Sequence, residues 1–338
     1  MKSVNLQKSN RIFVSEDRLQ TLREQVAAQA APVYEAWCQL KTLADNDLDR
    51  IPDVPAHWHV PWYYVDAKGH ETAKNGMRDE ANLTYALALC ARVTGENRYA
   101  KTAIRMLDGW VSGIQTMSME EDSTLAFCCH FVPFILAADL LRDEGDWTEE
   151  AQSAFEDFLR DRALPMNTMS HDNNWGNWGL ALASACAAYL RDEPLRDRCI
   201  TRWRTFIEAQ IAEDGHLPHE VNRNEGRHGI WYSHFSLLPQ TIAAELLRGE
   251  DFDPYSYTSP SGRSLRQACL KLAAWVEHPE TFHYWKADPS RLVAVDYFSY
   301  FEILNPHWQE DILTRLLQKK RPLSALHGAP YLTFTHGL

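Results

Sequence analysis

The sequence contains no run approaching the roughly 18 apolar residues that a membrane-crossing helix needs, so no transmembrane helix is expected and no membrane partner. Its first residues, MKSVNLQKSNRIFVSEDRL, hold no apolar stretch of the kind found in a secretory leader. Basic residues are in deficit: Lys and Arg number 34 against 46 Asp and Glu, for a formal net charge of −12. That balance removes the basic footprint that nucleic acid selects, and no nucleic-acid partner is expected. Seven cysteines make an odd count without any C-x-x-C pair, and most fall inside apolar helical patterns. They read as reduced core residues of a cytoplasmic chain. There is no G-x-S-x-G elbow, no nucleophile-like cysteine motif and no glycine-rich phosphate loop, which excludes the commonest nucleophilic and nucleotide-binding chemistries. Strand-like alternation is scarce, and no fixed repeat motif recurs.

What is present is helical periodicity and an excess of aromatic residues. Apolar positions at helical spacing occupy 15–45, 77–95, 97–114, 124–145, 148–164, 175–190, 194–212, 233–248, 262–277 and 307–319. Acidic residues open the helix at 77 and Gly95 closes it, while Thr148 followed by acids is a capping pattern. Short connections alternate apolar inner helices with amphipathic outer ones. Such helical hairpins build a bundle, a solenoid or an α/α toroid, so the fold class is all-α without a substantial β domain. Twelve tryptophans and 11% aromatic residues are a high content; part of it suits the core, and part suits a cleft where aromatic faces stack on sugars.

Irregular segments interrupt this pattern at 50–76, 165–174, 213–232 and 278–306, and long irregular segments in a compact helical domain are usually functional. The stretch EDGHLPHEVNRNEGRHGIWYSH (213–234) gathers His216, His219, Glu220, Arg223, Arg227, His228, Tyr232 and His234 in an otherwise acidic chain. Guanidinium forks suit a carboxylate, and His and Tyr suit proton transfer. A metal site is not expected: H-L-P-H-E matches neither zincin pattern, and Pro218 breaks the helix that would align its histidines. No cofactor is implied. A glycosidase needs two carboxylates across a cleft, and no acid is singled out for that.

DNNWGNWGLALA, followed by DGHLPHEVNRNEGRHGIWYSHFSLLP, resembles the alginate lyase family of polysaccharide lyases. The matching residues are Asn173-Asn174-Trp175, Asp214-Gly215, Glu220, Arg223 and Trp231-Tyr232-Ser233-His234, over roughly 50–250. The resemblance implies a single domain over 1–338, an incomplete α/α toroid with a cleft at one end and a lid-like loop at about 50–78. It implies β-elimination on a uronate of an acidic polysaccharide or oligosaccharide. Asn174 and Arg223 would neutralise the uronate carboxylate, which makes the weakly acidic C5 proton removable. Tyr232 would act as acid, or as acid and base, with its pKa lowered by a nearby arginine. One departure stands out: Trp175 occupies the place of a histidine in many alginate-specific members. A histidine from the second motif, His228, His234 or His219, is then a candidate base.

The lid would contribute Trp58, Trp62, Tyr63, Tyr64, Lys68, Lys74 and Arg78 for stacking and charge, with Asn173, Trp175, Arg227 and Trp231 as further substrate contacts and Trp178 in the core. Net negative charge repels a polyanion at long range, but beyond about 8 Å salt screens that field and local cations decide. Two other classes compete: a toroid hydrolase or epimerase of uronic-acid sugars, and a carbohydrate-binding relative without catalysis.

Overall fold

The computed structural model describes residues 11–338, so the reading of residues 1–10 as free of a leader lies outside the described part. The elements in chain order are α1 (Glu16–Ala27), α2 (Val33–Asn46), β1 (His57–Trp58), α3 (Ala67–Thr94), α4 (Asn97–Gly113), β2 (Thr116–Met117), α5 (Ser123–His130), α6 (Val132–Leu141), α7 (Glu149–Phe158), α8 (Asn174–Leu190), α9 (Glu193–Gln210), α10 (Gly229–Leu247), α11 (Leu265–Glu277), α12 (Phe301–Trp308), α13 (Asp311–Lys320) and α14 (Leu332–His336). The strands form one parallel pair, with His57 opposite Thr116 and Trp58 opposite Met117.

The inner layer comprises α3, α5, α6, α8 and α10. Every residue of α6 is buried, as is almost every residue of α8 and α10 after their first turns. Helices this apolar on all sides are stable only when surrounded by protein. α8 packs along α10 and α9, and α3 along α6, α4 and α2. The outer helices α4, α7 and α13 bury one face and expose the other. The result is an incomplete α/α toroid, as the resemblance implies.

Several boundaries shift for identifiable reasons. The continuous helix expected over 124–145 is divided near Phe131, where Pro133 supplies no N–H and starts the second segment instead. Against the expectation of no such stretch, Ser123–Leu141 is long and apolar enough to cross a membrane by length and composition, and 94% of its residues are buried inside this fold. The helix expected from 77 begins ten residues earlier, because the Asp66 carboxylate caps it by accepting from the Gly69 N–H at 2.9 Å. The lid-like loop therefore ends at Asp66, and Lys68, Lys74 and Arg78 stand on α3. α10 likewise begins at Gly229 rather than 233. Gly95 closes α3 with φ 73°, and Thr148 caps α7 through the Ala151 N–H, both as expected. All seven cysteines are free thiols, buried except for Cys38.

Two glycines of α8 set how the segment before it packs. A Cβ on Gly176 would collide with the His171 carbonyl, and one on Gly179 with the backbone of Thr168 and Met169. These close approaches hold the 165–173 segment against the helix and fix where Asn173 and Asn174 emerge.

Candidate active site

The site forms where the N-termini of α8 and α10 meet the 213–228 segment and the lid. Asn173 is the N-cap of α8, its side-chain oxygen accepting from the Trp175 N–H at 3.0 Å. Asn174, 2% exposed, turns the other way and binds Glu220. Its backbone N–H donates to Glu220 Oε1 at 3.0 Å, and its amide Nδ2 lies 3.0 and 3.1 Å from the two carboxylate oxygens.

Glu220 also accepts from Arg223 Nε at 3.3 Å, so one buried carboxylate orients both candidate carboxylate binders. Burial pushes the Glu220 carboxyl above its ordinary value, and the Asn174 and Arg223 contacts oppose that shift. The Arg223 guanidinium, partly exposed, sits 5.0 Å above the centre of the Tyr232 ring.

Tyr232 lies on the first turn of α10, half-buried. Its hydroxyl is 3.1 Å from that of Tyr64, which reaches across from the lid. Burial pushes the phenol of Tyr232 above its ordinary value, with the Tyr64 hydrogen bond adding to the rise and Arg223 opposing it. The expectation that an arginine lowers this pKa is therefore met in sign for Arg223 alone and overturned in sum. His228, the residue that precedes α10, lies four positions before Tyr232; their ring centroids are 6.5 Å apart with 27° between the planes. Burial, with Arg227 close by, pulls the His228 imidazole below its ordinary value, so it is neutral at neutral pH.

Other expected residues fall into three groups. Trp175 is half-buried and faces the lid: its ring centroid is 6.1 Å from that of Trp62 and 5.4 Å from that of His171. Trp62, Tyr63 and Tyr64 are exposed, the last two ring-to-edge at 5.4 Å. Trp231 stacks on Phe235 at 5.0 Å and meets Tyr232 edge-on at 4.7 Å. The second group lies aside. Arg227 donates from Nε to the Arg291 carbonyl at 3.4 Å and so ties down the 289–293 segment. His219 is exposed on the turn before Glu220, and Lys68 is exposed on the first turn of α3.

His234 departs most from expectation. It is fully buried, its Nδ1 is 2.9 Å from the Tyr300 hydroxyl, and burial drives its pKa down to about 3. It sits one turn from the core positions Ile230, Leu237 and Leu238, inside the packing of α10. A group sealed in this way cannot reach a substrate without unpacking the helix, so His234 drops out of the candidate bases. Trp178 is likewise fully buried, in line with its core reading.

The sequence reading missed two features. Glu220 was noted as part of a motif but given no role; its three-residue spacing to Arg223 was the available signal. The contact between Tyr64 and Tyr232 joins residues 168 positions apart, and nothing local announces it. Among the described residues no group of three or more His, Cys, Asp or Glu side chains is placed to hold a metal ion.

The alginate lyase family model matches residues 17–282, most of the chain. The chain belongs to the alginate lyase family. It is a polysaccharide lyase. Among solved structures, the lyase is similar to a variant of alginate lyase A1-III complexed with tetrasaccharide, with 17% identity, a TM-score of 0.79, and coverage of 97% of this chain and 96% of that one. It is also similar to alginate lyase A1-III from Sphingomonas species A1, with 18% identity, a TM-score of 0.76 and 99% of each chain covered. An alginate lyase from Bacteroides ovatus matches with 17% identity and a TM-score of 0.74, covering 98% of this chain and 99% of that one. At these identities the likeness concerns the fold. No curated protein matches the sequence of the lyase.

Proposed function

We propose that this lyase cleaves a uronate-containing acidic polysaccharide or oligosaccharide by β-elimination, with Asn174 and Arg223 holding the uronate carboxylate, His228 as base and Tyr232 as acid. The observation that carries the reading is the Glu220 hub, which holds the Asn174 amide and the Arg223 guanidinium, from two distant segments, beside one tyrosine. A substrate carboxylate placed there gains a neutral and a charged donor. Charge developing on it as the C5 proton leaves is then stabilised by groups already in position. The C5–H electrons form the C4=C5 bond, the C4–O4 bond breaks, and the departing oxygen takes the proton of Tyr232.

The division of labour follows from the two environments. His228 is held neutral and is a competent base near neutral pH; Tyr232 is held protonated and is a competent acid. Trp175 and Trp62 present aromatic faces for sugar stacking, and Tyr63, Tyr64 and Trp231 continue that surface. On α3 the cations nearest the lid are Lys68, exposed and aside from the hub, and Lys74 and Arg78, which pair with Glu71 at 2.7 Å and Asp79 at 2.8 Å; a neighbouring uronate would compete with those carboxylates for them.

Following ultraviolet absorbance during incubation with alginate, glucuronan, heparin-type and hyaluronan-type polymers tests the reading. Alginate heads the panel because the related structures are named alginate lyases. A rise marks the new conjugated double bond and supports the lyase. Binding to these polymers with no rise on any of them would leave a carbohydrate-binding protein, and loss of an existing conjugated bond would indicate a hydrolase of unsaturated uronides.

A further inference from the structure

Asp122 immediately precedes α5, where an aspartate ordinarily caps the helix by accepting from its first N–H groups. Here its carboxylate makes no capping bond. It turns instead to the lid, where Oδ2 accepts from the Tyr63 N–H at 2.8 Å and lies 3.2 Å from His70 Nδ1. His70, on the first turn of α3, places the same Nδ1 2.9 Å from the Pro61 carbonyl. A carbonyl and a carboxylate only accept, so Nδ1 carries the proton and is shared between them. Both residues are almost buried, at 8% and 9% exposure.

The lid is anchored just upstream by fixed bonds to the same corner. Trp58 Nε1 donates to the Ser123 carbonyl at 3.0 Å, the Val60 N–H to Ser123 Oγ at 3.0 Å, and the Asp122 N–H to the Val60 carbonyl at 3.1 Å. From Trp62 to Lys68 the chain is exposed, and the inward contacts of the lid are Trp62 on Trp175 and the Tyr64 hydroxyl on that of Tyr232. The Trp62 carbonyl accepts from the Val65 and Asp66 N–H groups within the turn itself, so on its upstream side the turn is tied to the rest of the fold by Asp122 at Tyr63 and His70 at Pro61.

We infer that Asp122 and His70 form a latch that positions the lid, setting Tyr64 against Tyr232 and Trp62 against Trp175. They are positioning residues for the elimination, separate from the carboxylate-binding hub. The forgone helix cap is the mark of this arrangement: the α5 N-terminus gives up its usual partner so that the carboxylate can hold a loop. The effect on rate rests on the proposed lyase reaction; the latch itself is read by a measurement that does not involve turnover.

The experiment compares Asp122→Ala, Asp122→Asn, His70→Ala, Tyr64→Phe and the double variant Asp122→Ala/Tyr64→Phe, each by thermal melting, amide hydrogen exchange of residues 59–66, and kcat/KM on the best polymer from the panel. Asp122→Ala is expected to melt close to the parent, to exchange faster at 62–66, and to lose about 10- to 100-fold in kcat/KM, the worth of a hydrogen bond to a charged group. Asp122→Asn keeps an acceptor for the Tyr63 N–H, so exchange and kcat/KM recover toward the parent. His70→Ala reproduces the Asp122→Ala pattern. In the Tyr64→Phe background Asp122→Ala costs less than it does alone, because the latch acts through Tyr64. Unchanged exchange at 62–66 in both alanine variants overturns the latch, whether or not the protein is active. Faster exchange with full kcat/KM, or Asp122→Asn as impaired as Asp122→Ala, overturns the positioning role. Lack of lyase activity in the parent would strike the proposed function and leave the exchange result to decide the latch.

Discussion

Tyr232→Phe is expected to lower kcat by about 10²–10⁴-fold, the usual worth of a positioned proton-transfer group, while the affinity for polymer changes little. The change removes one oxygen from a half-buried ring and leaves its packing against Trp231 and beneath Arg223 intact. The carboxylate binders stay in place because they are held by Glu220 rather than by the phenol. What disappears is the proton for the departing O4 and the bond to Tyr64. Initial rates and equilibrium binding on the same polymer separate the two effects. A Phe variant with near-normal kcat would remove Tyr232 from the chemistry.

Glu220→Gln is the second large effect, and it shows in activity and in the pH dependence of stability. A glutamine offers one acceptor and one amide where the carboxylate offers two acceptors. It therefore cannot satisfy the Asn174 donors and Arg223 together. Arg223 loses its anchor, and misplacing a binding group by about 1 Å is enough to cost about 10²-fold in kcat/KM. Stability changes in its dependence on pH. The folded-state pKa of Glu220 is raised, so its contribution is fully present below the unfolded pKa and is lost as pH rises through the folded value. The ionised form thus burdens the fold at neutral pH, and Gln carries no such burden. Thermal melting at a series of pH values should show the variant gaining on the parent between about pH 4 and pH 7, the range above the ordinary glutamate pKa. A variant that loses stability relative to the parent over that range, or keeps full activity, contradicts the hub.

The sequence was most legible where side-chain pattern and backbone agree. The apolar runs that become α8 and α10, the Thr148 cap and the Gly95 terminus all carry their physical cause in nearby residues. Asn174, Arg223 and Tyr232 lie close together because the N-termini of α8 and α10 meet the 213–228 segment at one end of the toroid. The failures have causes of their own. The Pro-, His- and aromatic-rich composition of 50–76 reads as loop throughout, whereas from Ala67 onward the Asp66 cap and the buried positions Met77 and Ala81 make a helix, despite the weak helix propensity of Gly69 and Gly76. Pro133 divided a run whose apolar character alone gave no sign of a break. His234 was grouped with its neighbours by composition, although its spacing from Ile230, Leu237 and Leu238 is that of a core face. The lid contacts depend on folding over long separations, and only the structure brings Tyr64 to Tyr232 and Asp122 to Tyr63.

The central claim is that His228 takes the proton and Tyr232 gives one, and the pH dependence of kcat/KM tests it most directly. A base must be unprotonated, so activity should fall as pH drops through the pKa of His228, which lies below its ordinary value of about 6.5. An acid must be protonated, so activity should also fall as pH rises through the pKa of Tyr232, which lies above its ordinary value of about 10. The account predicts a broad plateau between these limits for the parent enzyme, and loss of the plateau in His228→Gln. A rate that instead climbs steadily toward pH values of about 10 and persists in His228→Gln would contradict it, making Tyr232 both base and acid.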